Sequence, residues 1–179
     1  GGGGIKFYGS TVTITNSTVS GNTAVRFGGG ISNSGGDLTI IGSTLANNSA
    51  NETGGGIQLI SEAVATITNS TLSGNTGNRG GAIGIRLGGS LRLINSTLTG
   101  NSAGYTGGGI HNAGATTPVE LANTLVANNH NNGSPNTPDI SGEFTSHGNN
   151  LIGFDGSATG FTNGANGDLV GTGDAPIDP

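Results

Sequence analysis

The segment Gly54-Gly55-Gly56-Ile57, followed after a short gap by Ala65-Thr66-Ile67-Thr68-Asn69-Ser70-Thr71-Leu72-Ser73-Gly74-Asn75-Thr76-Gly77, decides the fold because it recurs along the chain. Its first phrase, Gly-Gly-Gly/Ala-Ile, returns with the isoleucine at Ile5, Ile31, Ile57, Ile83 and Ile110, in steps of 26, 26, 26 and 27 residues. The second phrase carries three apolar columns. They are Val12, Leu38, Ala65, Leu91 and Val119; then Ile14, Ile40, Ile67, Leu93 and Leu121; then Val19, Leu45, Leu72, Leu98 and Leu125. A small-residue column (Ala24, Ala50, Gly77, Ala103) and an asparagine column (Asn22, Asn48, Asn75, Asn101, Asn128) complete the register. Five units in register are a structural repeat.

The unit reads as β. Val12-Thr13-Ile14 and its copies alternate apolar and polar residues, the period of a strand, and Gly, Asn, Thr and Ser are poor helix formers. A unit of 26–27 residues with three short strands and tight turns predicts one coil of a parallel β-solenoid, with about five regular coils over residues 1–130. Coils stacked about 4.8 Å apart place like on like inside. At one corner the asparagines are expected to adopt the left-handed conformation and bond from coil to coil as an amide ladder. The glycine triplets serve the next corner, where positive φ is needed.

Residues 131–179 read as a loop, a degenerate coil and an irregular tail. The fifth unit appears one residue short, with four steps from Leu121 to Leu125 where other units have five. Asn131 to Pro138 reads as a protruding loop, and a sixth coil is expected through Ile140, Phe144, Leu151 and Ile152. Tyr105, Phe144, Phe154 and Phe161 shift bulk towards the C-terminal end, as a partial cap would.

Composition excludes several functions. Gly, Thr, Asn and Ser supply 100 of the 179 residues, while charged residues are 8% and aromatics 4%. With no Cys there is no disulfide, thiolate metal site or thiol nucleophile. Five dispersed Lys and Arg in a chain of net charge −5 argue against a nucleic-acid partner. No apolar run is long enough for insertion into a membrane as a helix. The sequence opens at Gly1 in mid-pattern, so an export signal and further coils outside this chain are expected.

Gly80-Gly81-Ala82-Ile83, with Leu72-Ser73-Gly74-Asn75, resembles the Gly-Gly-Ala-Ile and Phe-x-x-Asn repeats of chlamydial polymorphic outer-membrane proteins, with Leu in place of Phe. The repeated Asn-Ser-Thr-Leu-Ser-Gly-Asn and Gly-Gly-Gly-Ile phrases are more similar to large bacterial surface or secreted β-helix proteins of cyanobacteria, Chloroflexi and planctomycetes. Thr137 to Gly142, Gly148 to Gly153 and Asp168 to Thr172 look like the end of their repeat region. The resemblance implies a right-handed single-stranded parallel β-helix, an extracellular or cell-surface location and an anchor elsewhere in the protein. It implies little about activity.

Related β-helices include polysaccharide lyases and hydrolases, whose sites need several charges converging on one face. The coil register instead pairs the charges. Arg92 and Glu120 are expected as stacked neighbours, and Arg26, Glu52 and Arg79 as an alternating ladder on one edge. Lys6 and Arg86 are isolated. His111, His130 and His147 lack metal-ligand spacing and read as loop histidines. Asp139, Glu143, Asp155, Asp168, Asp174 and Asp178 cluster towards the C-terminal end; the first four are weak Ca²⁺ candidates, since oxygen-rich loops can bind that ion, but no known calcium-loop spacing is present. Otherwise no catalytic residue, cofactor or metal site is expected. Asn-x-Ser/Thr at Asn16, Asn47, Asn51, Asn69, Asn95 and Asn132 reads as the repeat phrase itself. Outward threonines at Thr11, Thr13, Thr15, Thr39, Thr66 and Thr68 suggest an ice-binding array, broken by Ile41, Arg92, Ile94 and Glu120.

The sequence therefore points to a non-enzymatic structural or adhesive segment: a stalk, adhesin or extracellular fibre. The alternatives are a carbohydrate-binding or polysaccharide-cleaving β-helix, with Tyr8 and Tyr105 as stacking candidates, and an ice-binding face. Expected partners are neighbouring coils, a second copy stacked head to tail, or a surface polysaccharide.

Overall fold

The computed structural model describes residues 2–114, 118–131, 138–177 and 179; residues 132–137 of the loop expected over 131–138, the sequon at Asn132 and the acid Asp178 lie outside them. The chain is an all-β parallel solenoid of about five turns. Four parallel sheets run along its axis where three strands per coil were expected. Sheet 1 stacks Ile5–Tyr8, Ile31–Ser34, Ile57–Ile60, Ile83–Arg86, Ile110–Ala113 and Ile140–Ser141. Sheet 2 stacks Thr11–Thr15, Asp37–Ile41, Val64–Thr68, Ser90–Ile94, Val119–Ala122 and Phe144–Ser146. Sheet 3 runs from Thr18–Ser20 through Thr44–Ala46, Thr71–Ser73, Thr97–Thr99, Leu125–Ala127 and Leu151–Ile152 to Leu169–Val170. The additional sheet 4 is narrow: Thr23–Ala24, Ser49–Ala50, Thr76–Arg79, Ser102–Thr106 and His130–Asn131.

Like stacks on like. Ile5, Ile31, Ile57, Ile83, Ile110 and Ile140 are successive register partners in sheet 1, and Ile14, Ile40, Ile67, Leu93 and Leu121 in sheet 2. The side chains from Ile31 inward are fully buried. One column is corrected. In sheet 3 the partner of Leu98 is Val126, not Leu125, and Val126 is the buried residue. Five steps separate Leu121 from Val126, the spacing of the corresponding columns in the other coils, although the fifth coil as a whole, from Ile110 to its partner Ile140, is 30 residues long.

The two ends differ. In the first rung Ile5, Val12 and Val19 are only partly buried. The far end is closed by residues 153–177. Phe144 N–H donates to the Thr159 carbonyl at 2.9 Å, Gly171 N–H to Ile152 at 2.9 Å and Ile177 N–H to Gly153 at 2.9 Å. The Phe161 ring packs 5.8 Å from Phe144.

Each glycine of a triplet has its own reason. The first, as at Gly54 (φ 67°) and Gly80 (φ 67°), takes the left-handed conformation. The middle one faces backbone, and a Cβ on Gly81 would overlap the Gly108 carbonyl and the Ser102 backbone. The third position already holds Ala82 in one coil. Gly81→Ala is expected to cost about 1–3 kcal/mol by overpacking. Gly56→Ala, in the column of Ala82, should cost less. Denaturant midpoints of the two variants check the ordering.

Candidate functional site: polar ladders and outer faces

Both corners flanking sheet 3 are closed by side-chain ladders. At each, a residue of positive φ turns the chain and the next residue points inward, so the left-handed conformation expected of the ladder asparagines belongs instead to the residue before each. Between sheets 3 and 4 the turning residues are Gly21, Asn47, Gly74, Gly100 and Asn128, with φ between 55° and 68°. The inward residues are Asn22, Asn48, Asn75, Asn101 and Asn129. Asn128 is thus the turn residue, and Asn129 occupies the ladder position expected for Asn128. The one-residue error is the one made at Leu125.

In this ladder each asparagine donates both its backbone N–H and its Nδ2–H to the Oδ1 of the next coil. For Asn75 to Asn101 the two distances are 2.9 and 2.9 Å. The second amide hydrogen returns to the preceding coil: Asn75 Nδ2 donates to the Leu45 carbonyl at 2.9 Å and Asn101 Nδ2 to Leu72 at 2.9 Å. Asn48, Asn75 and Asn101 are fully buried. One amide therefore satisfies groups of three coils.

The second ladder, between sheets 2 and 3, is not anticipated from sequence. Asn16, Gly42, Asn69, Asn95 and Asn123 turn the chain with positive φ, and Ser17, Ser43, Ser70, Ser96 and Thr124 follow them. Backbone N–H of Ser17 donates to Ser43 Oγ at 3.1 Å, and Ser43 N–H to Ser70 Oγ at 3.1 Å. Each hydroxyl hydrogen goes back two residues, as from Ser70 Oγ to the Thr68 carbonyl at 2.8 Å. The Asn-Ser-Thr phrase is thus a turn residue followed by a ladder residue.

Both ladders end in a carboxylate. Asp139 Oδ1 accepts from Asn129 N–H at 2.7 Å and Asn129 Nδ2 at 2.8 Å, and its Oδ2 accepts Phe154 N–H at 2.8 Å. Asp139 stands in the column of the third triplet glycine, as shown by Gly109 N–H donating to its carbonyl at 2.8 Å. The second ladder passes through Asn150, whose N–H and Nδ2 donate to Asp168 Oδ1 at 2.8 and 3.0 Å. Asp139 and Asp168 are both buried. Of the four calcium candidates, these two are engaged as ladder ends, while Glu143 is exposed and Asp155 is half-buried on the tail. Among the described residues no three His, Asp or Glu side chains form a metal-holding group.

The outer charges form contacts of their own. Arg26 Nε meets Glu52 Oε1 at 2.7 Å, but Arg79 falls in the next column, bridged to Thr53, with its guanidinium 5.7 Å from the Tyr105 ring. Arg92 Nε lies 3.4 Å from Glu120 Oε2, which His147 Nε2 also approaches at 3.4 Å. His111 Nδ1 is 2.8 Å from Ser141 Oγ; burial, with Arg79 and Arg86 nearby, lowers its pKa to about 4. Of the outward threonines on sheet 2, Thr13, Thr39 and Thr66 align, followed by Arg92 and Glu120. A longer threonine column lies on sheet 3: Thr18, Thr44, Thr71 and Thr97.

No protein-family model, curated protein or solved structure matches the chain.

Two outcomes follow from the ladders. Asn75→Leu strips the Oδ1 acceptor from Asn48 N–H and Nδ2, and the Nδ2 donor from Asn101 Oδ1 and the Leu45 carbonyl. It should cost about 3 kcal/mol or more, since each orphaned buried group costs about 1–3 kcal/mol; equilibrium unfolding measures it. Asp139 is flanked by donors on both sides, so Asp139→Asn sets an NH₂ against one of them and should cost about 1–2 kcal/mol. Burial pushes the Asp139 carboxyl above its ordinary pKa, against the pull of its hydrogen bonds to Asn129 and Phe154. Its contribution to stability is therefore full below the ordinary carboxylate range and falls as pH rises through the raised value. The part of the pH dependence of unfolding that Asp139 supplies should therefore be missing from Asp139→Asn, as unfolding curves of both proteins across the carboxylate range would show.

Proposed function

We propose that this chain is a non-enzymatic scaffold segment of a secreted or cell-surface bacterial β-solenoid, acting as a stalk, adhesin support or fibre element. The observation that carries the reading is the commitment of most buried polar side chains among the described residues to the two axial ladders. A scaffold of this kind resists local opening, because freeing one coil breaks hydrogen bonds to the coils on both sides. The contacts of Arg26 with Glu52 and of Arg92 with Glu120 and His147 support it too, since they use outer charges pairwise rather than gather them around one reactive point.

The partner expected for such a segment is another coil, in a longer protein or a second copy. The first rung offers its strand edges and the Oδ1 of Asn22, both complementary to a donating coil. The opposite end is covered by residues 153–177 and terminated by acceptors, so copies should not propagate head to tail into filaments.

The test is limited proteolysis of the full chain with sedimentation velocity. The rungs from Ile5 to Ala127 should remain uncut at protease levels that digest ordinary loops, and species should not grow beyond small oligomers. Rapid cleavage within the rungs, or release of sugar fragments from a polysaccharide by the chain, would overturn the reading.

A further inference from the structure

The outer face of sheet 1 differs from the others in charge and shape. Its outward column is Lys6, Ser32, Gln58, Gly84, His111 and Ser141. Beside it runs a wall formed by the bridged corner residues Phe27, Thr53 and Arg79. Together they make a trough whose first part is a recess of about 280 Å³ lined by Lys6, Tyr8, Arg26, Phe27, Gln58 and Ile60.

Four of the chain's five basic residues lie along this trough: Lys6, Arg26, Arg79 and Arg86. The wall's carboxylate, Glu52, is taken by Arg26. Among the described residues Lys6, Arg79 and Arg86 have no ion-pair partner. Lys6 and Arg79 instead sit over tyrosine rings, 4.8 Å from Tyr8 and 5.7 Å from Tyr105, and both rings are largely exposed, at 62% and 70%. The floor adds an unusual group. Gln58 is 1% exposed, lines the recess, and its Nε2 has no hydrogen-bond partner. That amide is shut off from solvent, so Gln58 closes the floor of the recess, and what a ligand meets is the basic and aromatic side chains around it.

We propose that this trough binds an acidic polysaccharide, laid along the solenoid axis. The cations meet its acid groups, and the faces of Tyr8 and Tyr105 pack against sugar rings. Lys6 on the first rung and Arg86 on the fourth are about 14 Å apart at about 4.8 Å per rung. Three free cations over that span are sparse against a nucleic-acid strand, with a phosphate every ~3.4 Å. They suit a polymer whose acid groups alternate with hydroxyls, as the serine and amide floor does.

Binding of the full chain to polygalacturonate and to heparin, with dextran as the neutral control and single-stranded DNA as the competing polyanion, tests the assignment. The wild type should bind at least one acidic polysaccharide and not dextran, and more weakly as salt rises. The Lys6→Gln, Arg79→Gln, Arg86→Gln triple variant should bind at least tenfold more weakly. Tyr8→Ala with Tyr105→Ala should weaken binding severalfold while leaving its salt dependence unchanged, and Arg92→Gln on sheet 2 should leave binding unchanged. If the triple variant does not fold, Lys6→Gln alone, whose side chain is exposed, reads the same direction at smaller size. Absence of binding to both acidic polymers, indifference to the basic substitutions, or DNA binding as tight as polysaccharide binding would overturn the proposal. Protease resistance tests the scaffold reading separately.

Discussion

Everything in this fold depends on satisfying the backbone at the corners of a narrow parallel coil. Along the sheets, N–H and C=O groups pair rung to rung without help from side chains. At a corner the chain turns, and the amide that follows the turn points inward, where no water can serve it. The solution is an acceptor side chain delivered from the next coil. Asn48 Oδ1 receives Asn22 N–H at 3.1 Å, and Ser43 Oγ receives Ser17 N–H at 3.1 Å, at two corners by the same logic. Because the acceptor must come from the same place in every coil, the sequence must repeat. The 26- to 27-residue period is a consequence of corner chemistry as much as of core packing.

A ladder of this kind has a direction. Every asparagine gives to the coil that follows, and from Asn48 onward each returns one hydrogen to the coil before. An asparagine placed last in the stack would leave its acceptor used and its amide group facing whatever closes the end. Asp139 solves this by being acceptor-only. It receives Asn129 on one oxygen and Phe154 N–H on the other, so donors can flank it on both sides. It also departs from the small residues of its own column, Gly30, Gly56, Ala82 and Gly109. In the preceding coils such a side chain would collide with the ladder, since a Cβ at Gly30 already comes within 3.1 Å of Asn48 Cγ. At the end of the stack that space is free, and the carboxylate fills it.

Much of this was legible in the sequence, and the failures are instructive. The isoleucine columns and four of the five ladder asparagines were placed correctly, because identical residues recur at a fixed spacing. The fifth coil misled because Leu125-Val126 and Asn128-Asn129 each offer two similar neighbours, and matching identity selected Leu125 and Asn128 where geometry selects Val126 and Asn129. The second ladder was hidden in Asn-Ser-Thr, whose serine changes to Thr124, Asn150 and Asp168 along the stack; what is shared is an acceptor, not a residue type. Sheet 4 escaped notice because strands of two residues, such as Thr23–Ala24, are too short to show alternation. Arg79 was misplaced because the corner it occupies carries a register shift between Gly77 and Arg79.

The same constraint decides where variation can reside. The inward columns are fixed by packing, the corner columns by hydrogen bonding, and the middle triplet glycines by contact with backbone in the next coil. Only the outward columns are free to differ from rung to rung, and they do. The first outward column of sheet 1 changes from lysine to serine, glutamine, glycine, histidine and serine, while the isoleucine beside it does not change at all. A solenoid therefore separates stability from recognition by side-chain direction. The contrast is sharpest between Gln58, in an outward column with its Nε2 unpartnered, and the buried asparagines of the amide ladder, whose hydrogens are all spoken for by neighbouring coils.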